Sequence, residues 1–148
     1  MTLDYTITAG RSQSRFLRAL INAKILGAQC GTCRKVTVPP RGACPTCAVL
    51  ADALIEVGEV GTVTSFCLVN IAFAGQAQKV PYAYAWILLD GADVAFAHVI
   101  QSASEAFDIS QVHTGMRVRA VWAAPAARAP TFESILYFCP AEEGDSRA

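Results

Sequence analysis

Cys30-Gly31-Thr32-Cys33-Arg34-Lys35-Val36-Thr37-Val38-Pro39-Pro40-Arg41-Gly42-Ala43-Cys44-Pro45-Thr46-Cys47 contains two Cys-x-x-Cys pairs, ten residues apart. A two-residue gap lets one tight turn aim both sulfurs at the same point, and two such turns close a tetrahedral thiolate shell around a metal. The stretch therefore predicts a zinc ribbon with Cys30, Cys33, Cys44 and Cys47 as ligands. The competing readings are four unrelated thiols or two disulfides. Zinc is the expected ion, with iron as a substitute on the same four sulfurs. Four filled positions leave none for water or substrate, so the expected role is structural.

On the N-terminal side, residues 13–26 have helical periodicity, with Phe16, Leu17, Leu20, Ile21 and Ile25 forming an apolar stripe. Ser12 or Ser14 is the expected cap and Gly27 the expected left-handed exit. Arg11, Arg15 and Arg18 fall together on the polar face. That pattern fits a solvated helix side, and it also fits a contact to phosphate or to a partner. Within the ribbon, residues 36–38 alternate as a short strand ended by Pro39 and Pro40.

On the C-terminal side, residues 48–55 form an apolar linker, which predicts that the ribbon packs onto the second half of the chain. From Glu56 the pattern is all-β. A long first strand runs through Val57, Val60, Val63, Phe66 and Val69, with Gly58 and Gly61 as candidate bulges. Residues 80–89 and 94–101 form a hairpin about Asp90-Gly91, residues 116–123 a fourth strand and residues 131–138 a fifth. A short helix is expected near Glu105 to Phe107, and a frayed acidic tail from Pro140. If the hairpin loop has an even number of residues, Tyr84 and Trp86 share a face with Ala97 and Val99, and Ala83 and Ala85 share the other with Phe96 and His98. The Tyr82, Tyr84 and Trp86 stripe reads first as core, and alternatively as a partner surface or stacking platform. Five strands with a bulged first one match an OB-fold barrel, so the fold class is mainly β: an N-terminal helix and zinc ribbon (residues 1–51), a five-stranded OB-fold barrel (52–139) and a tail (140–148).

The chain is 53 % hydrophobic and only 16 % charged, which places it among folded proteins. Residues 1–51 carry seven basic side chains against Asp4 alone; residues 52–148 carry five against eleven acidic ones, so a neutral total hides a basic N-terminal third. The longest apolar run, residues 82–89, is too short to span a membrane, and the start lacks signal-peptide character. A cytoplasmic, reducing setting is expected.

The helix with Phe16, Leu20 and Lys24, the first Cys-x-x-Cys, the Val-x-Val-Pro-Pro-Arg strand ending at Arg41, the Cys-Pro-x-Cys and the OB-like barrel together resemble the zinc-ribbon plus OB-fold acyl-CoA-associated family, long known only as a domain of unknown function. The resemblance covers residues 11–139 in element order and is most specific in the cysteine and Pro-Pro-Arg block. It implies a rubredoxin-like ribbon and a non-catalytic companion of a thiolase-like enzyme, such as a lipid-transfer-type aldolase of steroid side-chain breakdown, or of a hotdog-fold enoyl-CoA hydratase. The implied assembly is a hetero-oligomer in which the partner supplies the catalytic residues, and acyl-CoA lies at the shared interface. Arg34 stands where many family members place a glycine.

No catalytic constellation is legible. His98 reads as a satisfied strand residue, His113 lies in a loop, and Cys67 and Cys139 read as small buried hydrophobes. No catalytic residue is expected. Two further classes remain open. One is a single-stranded nucleic-acid binder, against which the zero net charge and acidic barrel half weigh. The other is a stand-alone acyl-CoA binding protein using Arg11, Arg15, Arg18 and the aromatic stripe.

Overall fold

The structure, a computed structural model, describes residues 6, 8–76, 79–101 and 108–141. Helix α1 spans Arg11–Leu20 and buries Phe16 and Leu20. It is shorter than the periodicity suggests. Gly10 is the N-cap and no side chain caps it; Ser14 Oγ instead donates back to Ala9 O at 3.1 Å. The chain turns away at Asn22 and Ala23, whose N–H groups donate to Ala19 O and Leu20 O, with Ala23 at φ 54°.

Ile25, expected on the helix, begins strand β1 (Ile25–Gln29). β1 is the centre of a three-stranded antiparallel sheet between β2 (Val36–Thr37) and β5 (Ala53–Val57). Gly27 therefore serves packing and not a helix exit. A Cβ at this position would stand 2.5 Å from Val36 Cγ1 and 3.3 Å from both Val38 and Val57. A second small sheet, β3 (Gly42–Ala43) with β4 (Leu50–Ala51), carries the other knuckle. The linker expected over residues 48–55 is thus mostly strand, and its β5 ties the ribbon to the barrel.

The barrel is closed, in the order β10-β8-β7-β6-β9, from β6 (Val60–Val69), β7 (Tyr82–Leu89), β8 (Phe96–Ile100), β9 (Arg117–Trp122) and β10 (Ile135–Pro140). Five strands and an OB-like outline agree with the sequence. The expected first strand is split at Gly58-Glu59, its start going to the ribbon sheet as β5 and the rest to the barrel. The β-bulge lies between Val63 and Ser65, at neither glycine. Gly61 answers a different need, since a Cβ there would sit 2.6 Å from Leu88 O. The helix expected near Glu105 and the acidic tail from residue 142 lie outside the described residues. A 3-10 turn, Ile109–Gln111, follows the former.

One core runs through all three parts. Phe16, Leu20, Ile25 and Val38 join Val63, Ile87, Leu89, Ile100, Val118 and Phe138 in a single buried cluster. Phe16 also meets Phe132 with ring centroids 5.4 Å apart. The hairpin register is the expected one: Tyr84 faces Val99, Trp86 faces Ala97, Ala85 faces His98 and Ala83 faces Ile100. The buried side of β7, however, is Ala83, Ala85, Ile87 and Leu89, so the aromatic stripe points outward and is not core. Small residues line the inside because Phe96, Phe138 and Ile100 already fill the barrel.

Candidate metal centre and docking faces

The two knuckles are built alike. In the first, Cys30 N donates to Lys35 O at 2.9 Å and Arg34 N to Cys30 O at 3.0 Å; in the second, Cys44 N donates to Val49 O at 2.8 Å and Ala48 N to Cys44 O at 2.9 Å. The residue after each second cysteine is left-handed, Arg34 at φ 63° and Ala48 at φ 56°. This geometry explains why a glycine suits position 34, and Arg34 adopts it without one.

These turns bring the sulfurs of Cys30, Cys33, Cys44 and Cys47 within 4.8 Å of one another, and Cys33 Sγ lies 3.6 Å from Cys44 Sγ. Sulfurs about 2.3 Å from a tetrahedral ion would be about 3.8 Å apart, so the residues fit a metal in size, number and donor type. Peptide N–H groups support thiolate charge: Thr32 N and Cys33 N approach Cys30 Sγ at 3.4 and 3.5 Å, and Cys47 N approaches Cys44 Sγ at 3.4 Å. The Cys33 N–H is the main cause that lowers the Cys30 thiol to about 6, and the Cys47 N–H similarly lowers Cys44. Cys47 is pushed up to about 12, first by Cys33 and then by burial. Negative charge accumulating on adjacent sulfurs opposes the last ionisation, and a divalent cation removes that opposition. Such a shell holds loops together and leaves no place for a reactant.

Arg11, Arg15 and Arg18 are all exposed on α1, opposite Phe16 and Leu20. Arg11 alone of the three lines an open cleft of about 610 Å³, together with Pro39, Pro40, Arg41, Leu50 and Asp52. A second cleft, about 770 Å³, separates β5 from the barrel and mixes Glu56, Glu59 and Asp90 with Arg117 and Arg119. In it Arg117 grips both carboxylate oxygens of Asp90, one at 2.9 Å, and also donates to Thr62 Oγ1 at 2.9 Å. On the outward face of β7, Tyr84 is 45 % and Trp86 51 % exposed, with Tyr82 half-buried beside them. The arginines and the aromatic stripe therefore occupy different elements and do not form one site.

His98 packs edge-on against Phe96 and Phe138, with centroids 6.2 and 5.5 Å away, and its Nδ1 has no hydrogen-bond partner among the described residues. Burial lowers its pKa from the ordinary value. The expectation of a satisfied histidine therefore fails at Nδ1. Cys139 is half-buried and its thiol is raised by burial, whereas Cys67 is exposed on β6, against expectation. Cys67 faces Tyr84 across the strand pair. Phe66, Leu68, Ile71 and Phe73 are also large and exposed, although no motif singles them out as a surface. The signal that marks them in the sequence is a run without any charged residue, 60–78.

A family model described as the ChsH2 rubredoxin-like zinc ribbon domain matches residues 23–51, and one described as the ChsH2 C-terminal OB-fold domain matches residues 54–123. Among curated proteins none matches at a significant level. Among solved structures, the chain is similar to one described as the Ltp2-ChsH2(DUF35) aldolase, with a TM-score of 0.66 and 19 % identity over 91 % of this chain and 98 % of that one. It is also similar to a DUF35-family protein of unknown function from Sulfolobus solfataricus, with a TM-score of 0.61 and 21 % identity over 76 % of this chain and 79 % of that one. Ribbon and barrel are matched in order and together span roughly two thirds of the sequence, so the chain belongs to the ChsH2 family of zinc-ribbon plus OB-fold proteins.

Proposed function

We propose that this chain is a non-catalytic accessory subunit that binds and stabilises a thiolase-like partner, a lipid-transfer-type aldolase acting on acyl-CoA. The observation that carries the reading is the pair of ChsH2 family matches, ribbon followed by barrel, joined by the fold shared with a chain of the Ltp2-ChsH2(DUF35) aldolase. The site chemistry supports it. The four-cysteine shell is a scaffold, and His113 Nδ1 is engaged with Gln111 O at 2.8 Å. In this reading Cys30, Cys33, Cys44 and Cys47 hold a structural zinc, with iron as a substitute. Arg11, Arg15, Arg18, Tyr82, Tyr84 and Trp86 are the proposed partner or CoA contacts, and the complex works in the cytoplasm on steroid or lipid side chains and shapes the acyl-CoA channel. No helix of the described residues is long and apolar enough to cross a membrane.

Co-expression of the tagged chain with thiolase-like aldolase subunits and, separately, with hotdog hydratases from the same genome tests the proposal. The expected result is co-elution with an aldolase subunit whose solubility and turnover rise in the pair. An aldolase that is soluble and fully active alone, and never co-elutes, would sink it. Retention of a hydratase alone would transfer the role to that enzyme class.

A further inference from the structure

The outer half of β6 is paired on one side only. Val60, Gly61 and Thr62 face Arg119, Val118 and Arg117 of β9, but beyond Val63 only β7 accompanies the strand. Among the described residues, 64–69 therefore present one bare backbone edge. Exposed edges are usually blocked by charge, proline or a covering loop. Residues 60–78 contain neither a charged residue nor a proline, and the one bulge, between Val63 and Ser65, lies at the root of the bare segment.

Both faces of this ribbon carry part-exposed apolar side chains. Phe66 and Leu68, opposite Ala85 and Ala83, are 37 % and 40 % exposed; Tyr84 and Trp86 occupy the other face. The loop beyond adds Ile71 at 81 % and Phe73 at 63 %. At about 200 Å² for a whole large side chain, Phe66 and Leu68 expose on the order of 150 Å² on one face, Tyr84 and Trp86 about 200 Å² on the other, and the loop pair about 300 Å² more. Neither face alone approaches the ~800 Å² per partner of a standard interface, so an occupant of interface size engages the edge together with its flanking faces and loop.

We propose that the outer half of β6 is a docking strand, to which an extended, uncharged segment of the aldolase partner adds as a further strand along residues 64–69. Main-chain hydrogen bonds give such a pairing its strength, and the flanking apolar side chains give it register. The proposal rests on the accessory-subunit reading above. A second copy of this chain pairing edge to edge would cover β6 and leave Tyr84 and Trp86, one strand back, open. A segment belonging to a larger subunit covers the edge with its strand and the aromatic face with its body. Nucleic acid is a poor occupant, because no cation in residues 60–78 meets a phosphate.

The test uses the aldolase subunit captured by co-expression, titrated with the wild-type chain, Cys67→Lys and Leu136→Lys. Cys67 and Leu136 are both exposed, so neither change disturbs the core, and the thermal midpoints of the free chains verify this. Cys67→Lys is expected to weaken binding at least about tenfold, as a lysine on an edge strand does, while Leu136→Lys stays within about twofold. In the wild-type complex the amides of residues 64–69 gain protection from hydrogen exchange, and Cys67 alkylation slows. Wild-type affinity in Cys67→Lys, or unprotected amides at 64–69, overturns the docking strand while leaving the accessory role intact. A homodimer of the free chain that Cys67→Lys abolishes overturns it in favour of self-pairing. If the wild-type chain binds no aldolase subunit, both readings fall together.

Discussion

Val36 in the ribbon and Asp93 in the barrel's hairpin exchange two hydrogen bonds: Val36 N donates to Asp93 Oδ2 at 2.8 Å, and Asp93 N donates to Val36 O at 2.9 Å. A parallel bridge between Thr37 and Val94 extends the join. Val36 is buried, so losing the carboxylate leaves its N–H without an acceptor. Asp93→Ala should cost about 1–3 kcal/mol, and Asp93→Asn, which keeps an oxygen, distinctly less. Urea unfolding of the two variants measures this, and hydrogen exchange at Val36 should rise in the alanine variant alone.

Two glycines should respond differently to one added methyl. At Gly27 the obstacle is the Val36 side chain, and at Gly61 it is the Leu88 carbonyl. Gly27→Ala and Gly61→Ala should each destabilise by about 1–3 kcal/mol as overpacked sites. Adding Val36→Ala should recover part of the Gly27→Ala loss and none of the Gly61→Ala loss. A double-mutant cycle by denaturant titration reads the difference.

His98 should make the barrel sensitive to mild acid. Burial lowers its folded pKa below the ordinary 6.5, so the unfolded chain takes up the proton first. Its contribution to stability is complete above about pH 6.5 and declines as pH falls through the unfolded value. Glu133, held low chiefly by the Thr131 side chain, loses its contribution only in the carboxylate range, below this window. The urea midpoint of the wild-type chain should therefore drop between pH 7.5 and pH 5.5 by more than that of His98→Leu.

Metal removal should act on folding. A strong chelator, or Cys30→Ser, should lower the thermal midpoint and release the proposed aldolase partner, because structural metal binding adds directly to folding free energy. Turnover per surviving complex should stay unchanged. Elemental analysis of the purified chain should find one zinc, and visible absorbance would reveal iron. An intact complex with selectively lost turnover would contradict a structural site.

Motif and register are legible in the sequence because they depend on local spacing. Cys-x-x-Cys turns and an even hairpin loop determine where Cys30, Cys44, Tyr84 and Ala97 go with little help from distant residues. Helix length is not, because Ile25 suits an apolar helix face and a buried strand equally well, and only pairing with Val57 decides between them. Gly27 similarly reads as a helix stop until Val36 is seen against it. The aromatic stripe misleads for a related reason. Alternation along β7 reveals two faces, but whether Trp86 or Ala85 turns inward depends on Phe96 and Phe138, supplied by other strands. The bare edge of β6 depends on how far β9 extends, which no pattern within β6 records.

The matched knuckles make the two halves of the metal site interchangeable parts. Cys30 to Lys35 and Cys44 to Val49 are six-residue clasps with the same pair of hydrogen bonds and the same left-handed fifth residue. Their side chains differ freely between the cysteines, Gly31-Thr32 in one and Pro45-Thr46 in the other. Exchanging the clasps would thus preserve the sulfur cage while moving Arg34 and Lys35 from one side of the ribbon to the other. The surface charge of the joint is written independently of the cage that holds it.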